Sequence, residues 1–217
     1  MVKKIKTPGQ NDNLSVRLTL WPKGKPIERI HSSRFSATDF NPGMGNSRFS
    51  PINDSQGKSI PTLYGGENIA VAVMETVLHD LPTPCEYAPV ELSVLHALSR
   101  SQISPEEDLR LVDLNPRFMK KQGITQADLL GSAADSYTET HQWAEKIYAD
   151  NPEAQGMQWA SKQHGDKALM LFGDRVNAKN LKVIVDGESA SGSVILNDTL
   201  SALADEMGLV LLPANLT

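Results

Sequence analysis

The sequence predicts one α+β domain with mixed or antiparallel sheets and flanking helices. Short alternating or continuous apolar segments recur along the chain, and helical segments separate them at irregular intervals, unlike a regular βαβ alternation. No internal repeat, low-complexity tract or interdomain linker divides the 217 residues, a length that suits a single core. We expect an N-terminal extension with the first strand at 1–24 and the main domain at 25–217.

Composition and charge restrict the possible functions. Hydrophobic residues make up 40% and charged residues 22% of the chain, as in ordinary globular proteins. A net charge of −5 argues against broad nucleic-acid binding, and a single cysteine, Cys85, excludes an intrachain disulfide. The basic start lacks the apolar stretch of a secretory signal, and no apolar run reaches membrane-spanning length. We therefore expect a cytoplasmic protein with no membrane partner and no direct nucleic-acid binding.

The first elements follow from alternation. Residues 1–13 are polar, and every second residue from Val16 to Leu20 is apolar, which predicts a strand ending at Trp21–Pro22. A second short strand is expected at 27–31. Residues 32–59 are rich in Ser, Asn, Gly, Pro and Asp, and so long a loop inside a domain indicates a segment that shapes a site.

An unusually apolar helix follows this loop. The pattern predicts a strand at 60–64, a turn at Gly65–Gly66 and a helix at 68–79. Because IAVAVMETVL is apolar on nearly every side at helical spacing, the helix is expected to be buried. Its carboxylate, Glu75, is costly there unless it is paired or faces a polar cleft. Glu75 is therefore the first candidate for chemistry.

The remaining chain predicts further strands and three helices. The strands are expected at 87–98, 109–114, 157–161, 168–172, 181–185, 193–196 and 209–212. The helices are expected at 125–130, 136–148 and 198–207, with Asp198 as the cap of the last. Residues 184–217 have apolar spacing that fits a packed core, which we favour, and that would equally fit contact with a partner or a second copy.

Several familiar catalytic motifs are absent from the sequence. It contains no GxGxxG after a strand, no GxxxxGK[ST], no HExxH and no GxSxG. The five histidines are too far apart to predict a local metal cluster. We therefore expect no metal.

A set of scattered polar residues remains as the candidate site: Arg29, Arg34, Arg48, Tyr64, Glu75, Ser161 and Lys162. Arginine forks bind phosphate or carboxylate oxygens in pairs, so arginines beside a loop rich in backbone donors suit a phosphorylated ligand. The same arginines could instead face solvent or pair with Glu28, Asp39 and Asp54. The tyrosine could stack on a planar ring or simply fill the core.

The order of these residues resembles the RES domain family, named for an arginine, a glutamate and a serine. The segments RIHSSRF, SRFSP, LYGG and AVAVMETVLHD carry the family's arginine, its Arg-aromatic turn, its Leu-Tyr strand end and its Ala-x-x-Glu helix. They place Arg29, Arg48, Tyr64 and Glu75 on that pattern. GMQWASKQHGDKALMLF resembles the family's Gly-x-x-aromatic-x-Ser segment with its following strand, which places the serine at Ser161.

The resemblance covers about residues 25–176 and has one notable departure. This chain has Ser47–Arg48–Phe49 where many members have Gly-Arg-Trp. Because the arginine and an aromatic residue are kept, the difference affects the detailed fit of the substrate more than the assignment to the family. RES proteins are toxins of bacterial toxin–antitoxin pairs that destroy NAD⁺, with a fold that resembles ADP-ribosyltransferases. The resemblance thus implies an enzyme that cleaves the nicotinamide–ribose bond, as an NAD⁺ phosphorylase or an NAD⁺ glycohydrolase.

The resemblance also implies a role for each matched residue. Glu75 would orient the ribose hydroxyls and stabilise an oxocarbenium-like state, or position the attacking group. Arg29 and Arg48 would hold phosphate oxygens of NAD⁺ or of an attacking phosphate. Tyr64 would stack on nicotinamide. Ser161 would hydrogen-bond ribose or phosphate, since no histidine is obviously placed to make it a nucleophile.

Partners and alternatives follow from the same resemblance. NAD⁺ is expected as substrate without a cofactor, and inorganic phosphate is the co-substrate if the reaction is phosphorolysis. The implied partner is a small helical antitoxin with a DNA-binding part, and a homodimer is a further option. Two other functions remain open: an ADP-ribosyltransferase that modifies a protein target, and a non-catalytic binding domain.

Overall fold

The structure is a computed structural model that describes residues 5–9, 11–132, 134–162 and 164–214. Its strands are β1 (Thr19–Trp21), β2 (Ile27–Ser32), β3 (Ile52–Asn53), β4 (Ser59–Ile60), β5 (Thr62–Gly66), β6 (Pro89–Glu91), β7 (Leu98–Pro105), β8 (Leu109–Asp113), β9 (Gly156–Ala160), β10 (Lys167–Phe172), β11 (Leu181–Ser189) and β12 (Val210–Leu212). Its α-helices are α1 (Ile69–Thr76), α2 (Pro116–Gln122), α3 (Gln126–Leu129), α4 (Tyr137–Asp150) and α5 (Val194–Met207).

An eight-stranded mixed sheet organises the domain, in the order β1-β8-β9-β10-β5-β2-β7-β11. All neighbouring strands in it are antiparallel except β8 and β9, which are parallel. Two small sheets pair β12 with β6 and β3 with β4. The helices lie between these strands at irregular intervals, so the predicted α+β class with mixed sheets and flanking helices is confirmed.

The helix α1 is buried, as its sequence predicts. It packs against α5 and against the central strands β2 and β5. Its first turn is capped by Asn68, whose side chain accepts a hydrogen bond from the Val71 amide at 2.9 Å. Residues 71–74 are buried, whereas Glu75 in the last turn is half-buried. The apolar body of α1 therefore fixes the position of a carboxylate at the helix end.

The N-terminal segment is packed more closely than its polar sequence predicts. Ile5 and Leu14 are buried, and the Trp143 indole on α4 donates a hydrogen bond to the Lys6 carbonyl at 2.8 Å. The following strand, β1, is the edge strand next to β8. Two buried apolar residues and a hydrogen bond from Trp143 thus hold parts of this segment against the rest of the domain.

The predicted glycine turn is wrong. Gly65 and Gly66 are the last residues of β5, inside the central sheet. A Cβ at Gly65 would lie 2.4 Å from the Ile27 side chain and 3.0 Å from the Glu28 carbonyl oxygen. Gly65 therefore lets β2 approach β5 closely. Glycine can serve this purpose inside a strand as well as form a turn, and the sequence pattern is the same in both cases.

Two predicted strands are also wrong. Residues 87–98 form the short strand β6 and a 3₁₀ helix over Leu92–Ala97, and the long strand β7 begins only at Leu98. Residues 193–196 form the start of α5, whose N-cap is Ser193 rather than Asp198. In both places a short apolar run satisfies a strand pattern and a helical turn equally well. The helix α2, with Pro116 in its first turn, was missed.

Within residues 5–9, 11–132, 134–162 and 164–214, no helix is long and apolar enough to cross a membrane. No group of three or more His, Cys, Asp or Glu side chains in these ranges could hold a metal ion.

Candidate active site

A cavity of about 250 Å³ lies between α1, the central strands, the start of α4 and the loop before β3. We call it the main cavity. Its lining residues are Glu28, Ile30, Asn46, Ser47, Arg48, Tyr64, Gly65, Ala72, Glu75, Thr76, His79, Tyr137, Trp159 and Ala168. The main cavity thus brings together three of the predicted site residues, Arg48, Tyr64 and Glu75.

Arg48 and Glu75 form an ion pair in the wall of this cavity. Arg48 Nη1 lies 3.7 Å from Glu75 Oε2, and the side chains are 14% and 22% exposed. Arg48 Nε is buried with no hydrogen-bond partner among the described residues. The pair is loose and the arginine keeps an unused donor, so both groups are available to a polar ligand.

The loop that carries Arg48 is held by hydrogen bonds from α4. Thr140 Oγ1 donates to the Arg48 carbonyl oxygen, and His141 Nε2 lies 2.7 Å from the Ser47 carbonyl oxygen. Ser47 and Ser50 also pair through their backbones. The arginine therefore stands on a fixed backbone although its loop has little regular structure.

Aromatic rings form the apolar side of the cavity. Tyr64 and Trp159 meet edge to face with ring centroids 6.3 Å apart, and Phe49 lies behind Trp159 at 5.1 Å. The Tyr64 hydroxyl accepts hydrogen bonds from Ser47 Oγ at 3.2 Å and from the Phe49 amide at 3.3 Å. Burial raises the pKa of the Tyr64 hydroxyl, so this ring presents a neutral face.

Tyr137 stands at the start of α4 on the cavity edge. Burial raises the pKa of its hydroxyl above the usual value, while the charge of Arg48 opposes that rise. A neutral phenol here adds a hydrogen-bond donor next to the Arg48–Glu75 pair.

A second, fully satisfied carboxylate lies in the cavity wall. Glu28 is 5% exposed, and its oxygens accept hydrogen bonds from Arg100 Nε at 3.2 Å and Arg100 Nη2 at 3.1 Å. Gln102 Nε2 also donates to Glu28. Arg100 continues to Glu188 at 3.0 Å, which ties β2 and β7 to the strand β11. This cluster is a fixed wall, because every strong partner of Glu28 is already engaged.

Arg29 does not line the main cavity. Its guanidinium donates to the carbonyl oxygens of Tyr64 at 3.2 Å, of Asp39 at 3.3 Å and of Ala37. Burial lowers the pKa of Arg29 to about 10. The side chain thus fastens the 37–39 loop to the backbone of Tyr64, and the predicted phosphate contact of Arg29 stays a prediction.

Ser161 directly follows β9, two residues after Trp159. It is 2% exposed, and its Oγ has no hydrogen-bond partner among the described residues. Ser161 does not line the main cavity, so its predicted contact with ribose or phosphate also stays a prediction.

The sequence reasoning missed several lining residues. Trp159 lies on β9 inside the GMQWAS segment, and its place as the aromatic residue of the Gly-x-x-aromatic-x-Ser pattern was a usable signal. Tyr137 and Asn46 had no signal, because only the fold brings the start of α4 and the loop before β3 to the end of α1.

The mixed sheet with α1 against its centre is consistent with the predicted ADP-ribosyltransferase-like fold. The structure is similar to a chain of the crystal structure of the M. tuberculosis MbcT–MbcA toxin–antitoxin complex, with a TM-score of 0.52 and 15% sequence identity over 88% of this chain and 91% of that chain. No curated protein sequence matches the chain. The RES domain model matches residues 26–191, and the chain belongs to the RES domain family.

Proposed function

We propose that this protein is a toxin-type enzyme that cleaves the nicotinamide–ribose bond of NAD⁺. The observation that carries the proposal is the Arg48–Glu75 pair, 3.7 Å apart in a cavity with a neutral aromatic wall. Ligand pockets usually measure about 300–1,000 Å³. A cavity of about 250 Å³ therefore suits one end of a dinucleotide, the nicotinamide riboside, with the other end outside.

The carboxylate of Glu75 has a role in the transition state. Cleavage of a glycosidic bond passes through an oxocarbenium-like state, in which positive charge grows on the ribose. A fixed carboxylate stabilises that charge more than it stabilises the substrate, which is the condition for a faster reaction. The electron pair of the breaking bond returns to the pyridinium nitrogen, so the leaving group needs no proton.

The other residues serve recognition. Arg48 supplies a cation and a free Nε donor for a phosphate oxygen of NAD⁺ or of an attacking phosphate. Tyr64 and Trp159 supply the aromatic face for the nicotinamide ring. Arg29 contributes by holding the backbone of Tyr64, and Ser161 provides an unused hydroxyl close along the chain to Trp159.

A neutralising partner belongs to this proposal. The chain is a RES domain protein, and the similar solved structure is described as part of a toxin–antitoxin complex. We therefore expect a small helical antitoxin with a DNA-binding part, and we expect the toxin to act on cytoplasmic NAD⁺. Expression of the protein alone should arrest growth, and co-expression of the partner should restore it.

The test is release of nicotinamide from NAD⁺ by the purified protein, with and without inorganic phosphate. ADP-ribose 1″-phosphate as the product identifies phosphorolysis, and ADP-ribose identifies hydrolysis. Glu75→Gln should lower the rate about 100-fold or more, as for loss of a group that stabilises transition-state charge. Glu153→Gln, at an exposed position outside the cavity, is the matched control.

The alternatives give different results in the same assay. Labelled NAD⁺ that becomes covalently attached to a protein would identify an ADP-ribosyltransferase. Absence of NAD⁺ loss and of a growth defect would identify a non-catalytic binding domain. Full activity of a folded Glu75→Gln protein would refute the role of this carboxylate.

A further inference from the structure

Two long segments of the sequence contain no basic residue. Residues 59–99 and 183–217 together hold ten aspartates and glutamates but neither a lysine nor an arginine. Because the net charge of the whole chain is −5, the remaining residues carry a formal charge of +5. Charges of the two signs are therefore separated along the chain, and such an asymmetry favours partners of opposite charge.

The fold packs these two segments against each other. Helix α1 contacts α5, and β6 pairs in parallel with β12. One hydrophobic cluster draws most of its residues from the two segments, among them Met74, Leu95 and Leu200. We call α1, β6, α5, β12 and the loops that join them to this cluster the acidic lobe.

A groove of about 500 Å³ opens in the acidic lobe beside the end of α1 and along β6. We call it the acidic groove. Its lining residues are Thr76, Val77, His79, Asp80, Leu81, Pro82, Pro84, Glu86, Tyr87, Ala88, Pro89, Val90, Glu91 and Val94. Most of these side chains are apolar. The groove shares Thr76 and His79 with the main cavity, so the two spaces are neighbours.

The charge of the acidic groove has one sign. Asp80, Glu86 and Glu91 are exposed carboxylates, and within the described part of the chain no lysine or arginine lines the groove. Asp80 lies 2.9 Å from His79, which is a cation only when protonated. The lining residues therefore leave a negative potential over an apolar surface, which suits a partner that is both cationic and apolar.

Tyr87 projects an aromatic ring at this groove. Its side chain is 75% exposed, and its backbone has a positive φ of 62°, in the left-handed region. The Tyr87 amide donates a hydrogen bond to the Gly208 carbonyl oxygen at 2.7 Å, which holds this conformation. A left-handed backbone is unfavourable for a bulky residue, and structures retain such positions mainly where they serve a site. Exposed tyrosines are frequent anchors of protein interfaces.

The backbone of the groove favours a helix over a strand as its occupant. Three lining residues, Pro82, Pro84 and Pro89, have no N–H group to offer to an added strand. An α-helix satisfies its own backbone and needs only side-chain contacts with a groove.

We propose that the acidic groove binds an amphipathic helix of a partner protein, with apolar side chains toward Tyr87 and Val94 and with lysines or arginines toward Glu86 and Glu91. A second copy of this chain suits the groove less well. Of the described α-helices only α2 has more than one basic residue, and its apolar residues Phe118 and Met119 are buried.

Binding of designed peptides tests the proposal. The probe is a fluorescein-labelled peptide of about 18 residues, with leucines on one helical face and lysines on the other. One control peptide has glutamates in place of the lysines, and another has serines in place of the leucines. Fluorescence anisotropy should show binding of the first peptide only. Equal affinity for either control peptide overturns the proposal.

Charge reversal in the protein locates the binding. The double change Glu86→Lys with Glu91→Lys should weaken binding of the leucine–lysine peptide at least about tenfold, because like charges then face each other. The matched control is Glu106→Lys with Glu153→Lys, at exposed positions outside both acidic segments, which alters the net charge equally. Equal affinities of the two double variants overturn the proposal.

Tyr87→Gly separates a binding role from a structural one. Glycine accepts the left-handed backbone, so this variant should unfold at the same or a higher urea concentration. Its affinity for the leucine–lysine peptide should nevertheless fall about tenfold, whereas Tyr87→Phe should retain it. A stable Tyr87→Gly protein with unchanged affinity removes the ring from the interface and overturns the proposal.

Sedimentation velocity examines the other occupant. A wild-type dimer that the change of Glu86 and Glu91 to lysine dissociates would assign the groove to a second copy and overturn the proposal. A monomer in both proteins leaves the groove free for the helix. These measurements use no NAD⁺, so their results do not depend on the proposed activity.

Discussion

Arg48 and Glu75 approach to 3.7 Å although 27 positions separate them in sequence, and both residues line the main cavity and a second pocket of about 150 Å³. The arginine comes from a loop anchored on α4, and the glutamate comes from the last turn of a buried helix. Two independent elements therefore support the backbones that carry this charge pair. Electrostatic catalysis requires preorganised charges, so this arrangement supports the role proposed for Glu75.

Arg48→Lys keeps the charge of the pair but removes the planar fork. An ammonium cannot donate from Nε and Nη together, so we expect kcat/KM for NAD⁺ to fall about tenfold. Arg117→Lys, on the exposed face of α2, is the control for the chemical change itself. The value of kcat/KM for each variant is measured from steady-state nicotinamide release. Equal kcat/KM values for both variants would show that Arg48 acts as a simple point charge or not at all.

Trp159 offers an optical signal of ligand in the main cavity. The three tryptophans, Trp21, Trp143 and Trp159, are all nearly fully buried, but of these only Trp159 lines the cavity. Titration of NAD⁺ into the Glu75→Gln protein, which turns over slowly, should therefore quench the tryptophan fluorescence. Trp159→Phe in that background should abolish the quenching, and Trp143→Phe should retain it. Quenching that survives Trp159→Phe would place the ring of the ligand elsewhere.

Ser161 can be tested by separating stability from activity. Its buried Oγ has no partner among the described residues, so removal of this hydroxyl leaves no protein group unpaired. We expect Ser161→Ala to unfold at the same or slightly higher urea concentration and to lose about tenfold in kcat/KM. Ser193→Ala is the control for loss of a hydroxyl that has a partner, because Ser193 Oγ donates a hydrogen bond to Glu188 at 2.8 Å. This variant should lose about 1 kcal/mol in free energy of unfolding.

A Ser161→Ala protein that is markedly destabilised would assign the hydroxyl a structural role. Unchanged kcat/KM in a stable Ser161→Ala protein would remove Ser161 from the site.

Local patterns and the family resemblance predicted three residues that line the main cavity, but they did not predict the way these residues meet. The apolar sequence of α1 predicted that the helix is buried. It also made Glu75 a candidate site residue, because a carboxylate in a buried helix is costly unless it is paired or faces a polar cavity. The motif order added Arg48 and Tyr64, and both line the main cavity. Tyr137 joins them only through the tertiary fold, which brings the start of α4 to the cavity.

The failures of the sequence reading have a common physical origin. Gly65–Gly66 has the composition of a turn, but the close approach of β2 uses the missing side chains inside the sheet. Residues 193–196 have the apolar run of a strand, but they begin the helix α5, which packs against α1. In each case a tertiary neighbour decides between two uses of the same residue type, and one sequence does not show its tertiary neighbours.

We expect Asp113, at the end of β8, to contribute to the loss of folding stability at acidic pH. Burial opposes its charge, but hydrogen bonds from Asn115, Lys167 and Gln158 hold the pKa of this carboxyl below its usual value. The unfolded chain therefore binds the proton more readily, so the stabilising contribution is complete above the ordinary aspartate pKa of about 4 and is lost as the pH falls through the lower folded-state value. The free-energy difference of unfolding between the wild type and Asp113→Asn should be largest near neutral pH and shrink toward about pH 3. Urea unfolding across this range measures it, with Asp205→Asn at an exposed position on α5 as control. A wild-type advantage that stays constant over the whole range would show that the three donors stabilise β8 without favouring the charged carboxylate.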